Sequence, residues 1–232
     1  MDGIQDWANL LLRWFHVIAG IAWIGSSFYF VWLDSNLEAP TKDDAADAEG
    51  HLWMVHSGGF YRVEKKKLVP STMPETLHWF KWEAGLTFLS GFTLLIVVYY
   101  LSGGVLLVDS SVSDISVNMA RALGIGTLVI GWAVYDTLWV SPLSSNLRIT
   151  NIISCIGLGF VAYGLSQVLS GRAAYMHVGA MMGTCMVANV WMRILPAQRA
   201  LIAATTDGGT PDPKLAKRAK QRSMHNNYMT LP

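Results

Sequence analysis

Five long apolar runs dominate this chain of 232 residues and restrict what it can fold into. A helix needs about 20 mostly apolar residues to cross the hydrocarbon core of a bilayer. The runs cover residues 10–33, 77–101, 117–140, 147–169 and 173–195, so each is long enough. Only 14% of the residues are charged, against about 25% in a typical soluble domain. The sequence therefore predicts an all-α, polytopic transmembrane helix bundle with five spans.

Lysine and arginine are distributed unevenly among the connecting segments. The connection between the first two runs holds Lys42, Arg62 and Lys65–Lys67, and six more cations follow the fifth run, whereas residues 102–116 hold none. Cationic loops are retained in the cytoplasm. We therefore expect the N-terminus outside and the tail inside. We further expect a transmembrane domain over residues 1–203, followed by a basic cytoplasmic tail over residues 204–232.

The cytoplasmic connection between the first two spans carries a hairpin signal. Two short runs rich in aromatic and β-branched residues flank Ser57-Gly58-Gly59, a pattern typical of a β-hairpin. His51 and His56 are five residues apart and thus on opposite faces of a strand, which makes them a poor metal-binding pair. The basic stretch Lys65–Lys67 is expected to rest on anionic lipid headgroups.

Two histidines form a predicted outer polar layer. His16 in the first run and His177 in the fifth lie at similar depth, counting about 1.5 Å per residue, and small residues line the helix face around each. Such space could accommodate a b-type haem between two imidazoles, with Arg13, Arg121 or Arg172 at its propionates. Alternatively, the small residues allow close helix packing, and each histidine is hydrogen-bonded to a neighbour. The chain has no C-x-x-C-H motif, so no covalent c-type haem is expected.

A second polar layer is predicted toward the inner ends of the spans. Asp136 follows an uncharged apolar run, and an intramembrane carboxylate of this kind is a candidate for proton transfer or for binding a polar ligand. Lys81 with a neighbouring carboxylate could equally be a structural ion pair. The predicted catalytic groups are Asp136, Lys81, Glu83 and His78, and the predicted ligand-binding groups are Trp79, Trp82, Asn189, Arg193 and His56.

Four segments of the chain resemble one family. "RWFHVIAGIAWIGSSFYFVWLDSNL", "LWMVHSGGFYRVEKK", "LHWFKWEA" and "RSMHNNYMTLP" are similar to the membrane domain of bacterial cytochrome c-linked urate oxidases, also called membrane urate hydroxylases. The resemblance implies oxidation of urate to 5-hydroxyisourate in the bacterial inner membrane, with electrons passed to cytochrome c. Members usually continue into further helices and a C-terminal cytochrome c domain, so we expect this chain to be the N-terminal part of such a protein.

The inner layer would suit urate, a planar and weakly acidic heterocycle. Lys81 and Arg193 offer charge, Asn189 offers hydrogen bonds, and Trp79 and Trp82 offer stacking. Two other functions remain open. A purine permease would also need a polar chamber, although no inverted repeat is visible in the sequence. The second alternative function is that of a non-catalytic membrane subunit of a redox complex. No basic aromatic array is present, so a nucleic-acid partner is not expected.

Overall fold

The computed structural model describes residues 2–67, 69–70 and 73–231, and its described part is mostly helical. The elements, in chain order, are helix α1 (Asp2–Asn36), strands β1 (Ala48–His56) and β2 (Gly59–Lys66), α2 (Trp82–Leu95) with a π-helical extension (Ile96–Tyr100), α3 (Val117–Val140), a 3-10 turn (Pro142–Ser145), α4 (Leu147–Ser166), α5 (Gly171–Ala188) with a π-helical extension (Asn189–Ile194), α6 (Leu195–Thr206) and α7 (Pro213–Tyr228).

Five helical stretches in the described residues are long and apolar enough to cross a membrane. They are Asp6–Asn36, Trp82–Tyr100, Val117–Val140, Leu147–Ser166 and Gly171–Thr206. The sequence-based expectation of five long apolar helices is thus confirmed. The bilayer itself and the orientation within it stay predictions, because length and composition alone identify these stretches.

Several predicted span boundaries differ from the helix boundaries, and α1 already begins at Asp2, before residue 10. The second helix begins at Trp82 and not near residue 77; ahead of it the Lys81 amide donates to the Trp79 carbonyl in a turn (3.0 Å). Glu83 then lies in the first helical turn, where the helix dipole favours a carboxylate. The fifth helical stretch runs past residue 195 to Thr206. It ends there because Gly208 adopts a positive φ of 71° and the Gly209 amide caps the Ala204 carbonyl at 2.8 Å.

The tail contains a helix that the sequence analysis did not predict. The side chain of Asp212 accepts a hydrogen bond from the Lys214 amide and so caps α7, and Pro213 occupies the first helical position. α7 packs against α6. Ala219 and Asn226 are buried on its inner face, whereas Lys214 and Lys217 are exposed.

The chain divides into two compact units. The first, which we call the bundle, comprises residues 2–20 and 82–189. Within it α5 packs against α2, α3 and α4, and buried side chains of these helices form an apolar core that includes Leu95, Leu128 and Leu165. The second, which we call the hairpin unit, comprises residues 21–81 and 190–231. The predicted division at residue 204 is a separate expectation and stays a prediction.

The hairpin unit contains the β-hairpin that the sequence predicted. β1 pairs with β2 in antiparallel fashion, from Ala48 opposite Lys66 to His56 opposite Gly59. The two turn residues, Ser57 and Gly58, have positive φ values of 51° and 78°. Positive φ at both central positions matches the twist of a two-residue hairpin turn.

Candidate functional site

His177 is the most enclosed ionisable side chain of α5, with none of its surface exposed. Its Nδ1 lies 2.7 Å from the Ala173 carbonyl oxygen, which can only accept, so Nδ1 carries the proton and donates. Nε2 is then an acceptor, and the Tyr100 hydroxyl donates to it at 3.0 Å. Both ring nitrogens of His177 are therefore engaged within the bundle.

A tyrosine and a glycine that the sequence analysis missed complete this arrangement. The π-helical extension of α2 carries Tyr100, which is 7% exposed, and Tyr99, whose ring meets the imidazole edge-on at 6.0 Å. On α3, a Cβ at Gly124 would lie 2.5 Å from His177 Nε2 and 2.6 Å from the Tyr100 hydroxyl. Only glycine leaves room for the pair.

His16 is held in a similar manner by a different part of α2. Its Nδ1 lies 3.0 Å from the Thr87 carbonyl oxygen and 3.0 Å from the Ser90 hydroxyl. The ring packs on Gly91, where a Cβ would come within 2.8 Å of Cε1. Nε2 makes no hydrogen bond within the part of the chain that the structure describes. His16 is thus half-buried, with its orientation fixed by α2.

The structure does not bring His16 and His177 together as an axial pair. His16 contacts α2 near Ser90, and His177 contacts its π-helical extension at Tyr100, ten residues further on, which is roughly 15 Å at the rise of an α-helix. Two imidazoles on one iron need their nitrogens about 4 Å apart, at about 2 Å each from the metal. His177 Nε2 is also committed to Tyr100 and pressed against Gly124. The residues as arranged do not fit a haem shared between them.

Two of the arginines predicted at the haem propionates, Arg13 and Arg121, bond to asparagines of their own helices. Arg121 donates to the Asn118 side chain at 3.1 Å. Among the residues described, no group of three or more His, Cys, Asp or Glu side chains could hold a metal ion. The haem b predicted from the sequence stays a prediction.

Three members of the predicted inner layer lie in the bundle. Asn189 is fully buried at the start of the π-helical extension of α5, and its amide donates to the Tyr135 hydroxyl on α3 at 3.0 Å. This contact brings Asn189 to the turn of α3 that carries Asp136, which is half-buried. Glu83 is half-buried in α2, and its Oε2 has no hydrogen-bond partner among the described atoms.

The other predicted inner residues, apart from Trp82, belong to the hairpin unit. His78, Trp79 and Lys81 lie in the non-helical segment before α2, and Trp82 is the first residue of α2, in the bundle. Arg193 is exposed in the π-helical extension, and His56 is exposed at the hairpin turn, with its Nδ1 3.0 Å from the Ser57 hydroxyl. The proposed inner layer is thus divided between the units, and the roles of its members stay predictions.

The fold defines the class first: a mostly helical protein with five helices long and apolar enough to span a bilayer and a buried tyrosine–histidine pair among them. Comparison with protein families then identifies the family. The model described as urate oxidase N-terminal matches residues 2–232, so the chain belongs to the urate oxidase N-terminal family. Searches of curated proteins and of solved structures found no match.

Proposed function

We propose that this chain is the membrane part of a urate oxidase that passes its electrons to a c-type cytochrome. The observation that supports the proposal most strongly is the family match over residues 2–232, in a chain with five helices suited to a bilayer. Urate and water give 5-hydroxyisourate, two protons and two electrons. An oxidase placed in a membrane can deliver those electrons to a membrane-associated carrier, and hydrogen peroxide then need not form.

The proposed urate site is at the contact between α3 and α5 that carries Asn189, Tyr135 and Asp136. The Asn189 amide and the Tyr135 phenol are the kinds of donor and acceptor that a purine edge requires. A carboxylate such as Asp136 could accept the proton released on hydroxylation. The roles predicted from the sequence for the other candidates stay predictions; these residues are Lys81, His78, Glu83, Trp79, Trp82, Arg193 and His56. No electron-transfer step is assigned to a haem in this chain, because His177 Nε2 already accepts a hydrogen bond from Tyr100.

Variants of these residues test the site. Asp136→Asn and Asn189→Ala should each lower urate turnover at least tenfold in membranes from cells that express the native gene, whereas Asp114→Asn, on an exposed loop, should leave it unchanged. Loss of urate and appearance of 5-hydroxyisourate are followed by absorbance. Full turnover in Asp136→Asn would remove that carboxylate from the mechanism. Uptake of labelled urate without its consumption would instead identify a permease.

The proposed orientation has the N-terminus outside and the tail in the cytoplasm. Reporter fusions after Ser113 and after Lys220 should then report the outer and the inner side of the membrane, because three helices long and apolar enough to cross it lie between them: α3, α4 and the Gly171–Thr206 stretch. Reporters on the same side would contradict the orientation without touching the assignment of urate as substrate.

A further inference from the structure

The β-hairpin lies along the C-terminal part of α1, and two contacts set its direction. Near the open end of the hairpin, the Lys65 ammonium lies 2.9 Å from the Asp34 carboxylate. Nearer its turn, Met54 accepts a hydrogen bond on sulfur from the Tyr29 hydroxyl at 3.3 Å. Tyr29 precedes Asp34 by five residues, about 7 Å along the helix. The turn of the hairpin therefore points back along α1, toward its long apolar stretch.

The two faces of the hairpin differ because side chains alternate along a strand. Met54 and its cross-strand partner Tyr61 belong to the face that meets α1. Trp53, Val55 and Phe60 belong to the opposite face, with Val55 directly across from Phe60. These three side chains are 61%, 68% and 80% exposed, so the turn end of the hairpin carries an apolar surface. We call this surface the hairpin tip.

The cations of the hairpin are largely neutralised by carboxylates of the same unit. Arg62 pairs with Asp44 and also covers the Trp53 ring, 6.0 Å from its centroid. Lys65 pairs with Asp34, and Lys66 lies 3.7 Å from an oxygen of Asp47. The expectation that Lys65–Lys67 rest on anionic headgroups stays a prediction, and two of these three lysines have carboxylate partners. We expect the affinity of the hairpin tip for a bilayer to come from its apolar side chains.

We propose that the hairpin tip inserts into the interfacial layer of the bilayer, beside the C-terminal end of α1. The inference rests on the proposed membrane embedding. The last turns of α1 expose Phe28, Phe30 and Trp32, and aromatic side chains of this kind mark the membrane–water interface. The unpaired edges of a two-stranded sheet need water, so the hairpin stays in the interfacial layer and does not enter the hydrocarbon.

A spin label at the tip tests the insertion. Phe60→Cys is made in a chain in which Cys155 and Cys185 are replaced by serine and alanine, labelled with a nitroxide and placed in nanodiscs of zwitterionic lipid. Collision with oxygen reports lipid exposure, and collision with a water-soluble nickel chelate reports water exposure. We expect the Phe60 label to meet oxygen several-fold more readily than nickel, with no change when anionic lipid is added. Val55→Cys repeats the measurement at the cross-strand neighbour.

Two control positions separate this inference from the membrane embedding on which it rests. Phe160 on α4 is 72% exposed, and a label there should meet oxygen and not nickel. Glu75 is exposed in a loop, and a label there should meet nickel. Nickel access at Phe60 equal to that at Glu75, with Phe160 protected, would overturn the insertion alone. A Phe60 label shielded from both reagents would overturn it in favour of a second copy or a protein partner. Nickel access at Phe160 would overturn the embedding and the insertion together.

Discussion

The bundle and the hairpin satisfy their polar side chains in different ways. In the bundle, His177 bonds to a phenol and a backbone carbonyl, and His16 bonds to a carbonyl and a hydroxyl. In the hairpin unit, the Asp44 carboxylate pairs with the Arg62 guanidinium, so one charge is paired with another. A buried charge is far more costly than a buried neutral group with a partner. The contrast is therefore the one expected if the helices of the bundle are exposed to lipid and the hairpin has access to water.

Overfilling the glycine beside His177 should have the largest effect. Gly124→Leu places a side chain where even a Cβ would meet Nε2 at 2.5 Å, and so separates His177 from Tyr100. We expect a loss of about 3 kcal/mol, the upper end for overpacking. Gly126→Leu on the same helix is the matched control, because a Cβ there meets nothing within 4 Å. Thermal unfolding in detergent measures both, and equal stability of the two variants would show that the pair is not tightly packed.

Removing only the hydroxyl of Tyr100 should have a smaller effect. Tyr100→Phe keeps the ring but leaves the buried Nε2 of His177 without its donor, which costs about 1–2 kcal/mol. Tyr163→Phe, at a position that is 67% exposed, should change nothing. Chemical unfolding of both variants in the same detergent makes the comparison. If Tyr100→Phe unfolds like the parent, then the bundle does not depend on this hydrogen bond.

The hairpin should respond to acid through Asp44. Hydrogen bonds from the Thr41 amide and hydroxyl hold the pKa of Asp44 below its ordinary value of 3.8, helped by the nearby His51 and Arg62. A carboxyl group whose pKa is lowered by folding stabilises the folded state at any pH above its ordinary pKa. This contribution is lost as the pH falls through the folded-state pKa. The protection factors of the β1 and β2 amides, which are corrected for the intrinsic pH dependence of exchange, should therefore fall in acid. Asp44→Asn should remove this dependence, and the exposed Asp43→Asn should retain it.

The helix α7 should show the smallest response, centred on His225. Burial, and then the charge of Arg222, lower its pKa from 6.5 to about 4. The unfolded state therefore takes up a proton first as pH falls. The protection of α7 amides against exchange should decline as the pH falls from 6.5 to about 4, and it should stay constant at lower pH. His225→Gln should flatten this profile. A parent profile that is already flat would mean that His225 is solvated when α7 is folded.

The sequence predicted the elements that depend on residues close together in the chain, which are the long helices and the hairpin turn. Apolar runs identified the five long helices, and Ser57-Gly58-Gly59 identified the hairpin turn. α7 was missed because its sequence is strongly polar, although Asp212 followed by Pro213 is a helix-start signal that could have revealed it. The start of α2 was placed too early because the residues before Trp82 are apolar without being helical.

The site was less accessible to sequence reasoning because its contacts are not local. His177 and its partner Tyr100 are separated by 77 residues, and nothing in the sequence near either indicates the other. The small residues around His177 suggest space for a macrocycle. At Gly124, however, the imidazole of His177 and the phenol of Tyr100 occupy the space that a larger side chain would need. The structure shows hydrogen-bonded neighbours for this histidine, and the haem stays a prediction.

The central claim is that urate gives its electrons to a c-type cytochrome through a membrane protein of this family. The most direct measurement uses membranes from cells that express the native gene, under strict anaerobiosis, with ferricytochrome c as the acceptor. We predict reduction of cytochrome c on addition of urate, two equivalents per urate consumed, at a rate that Asp136→Asn lowers. Urate consumption that requires oxygen, yields hydrogen peroxide and leaves the cytochrome oxidised would contradict the account.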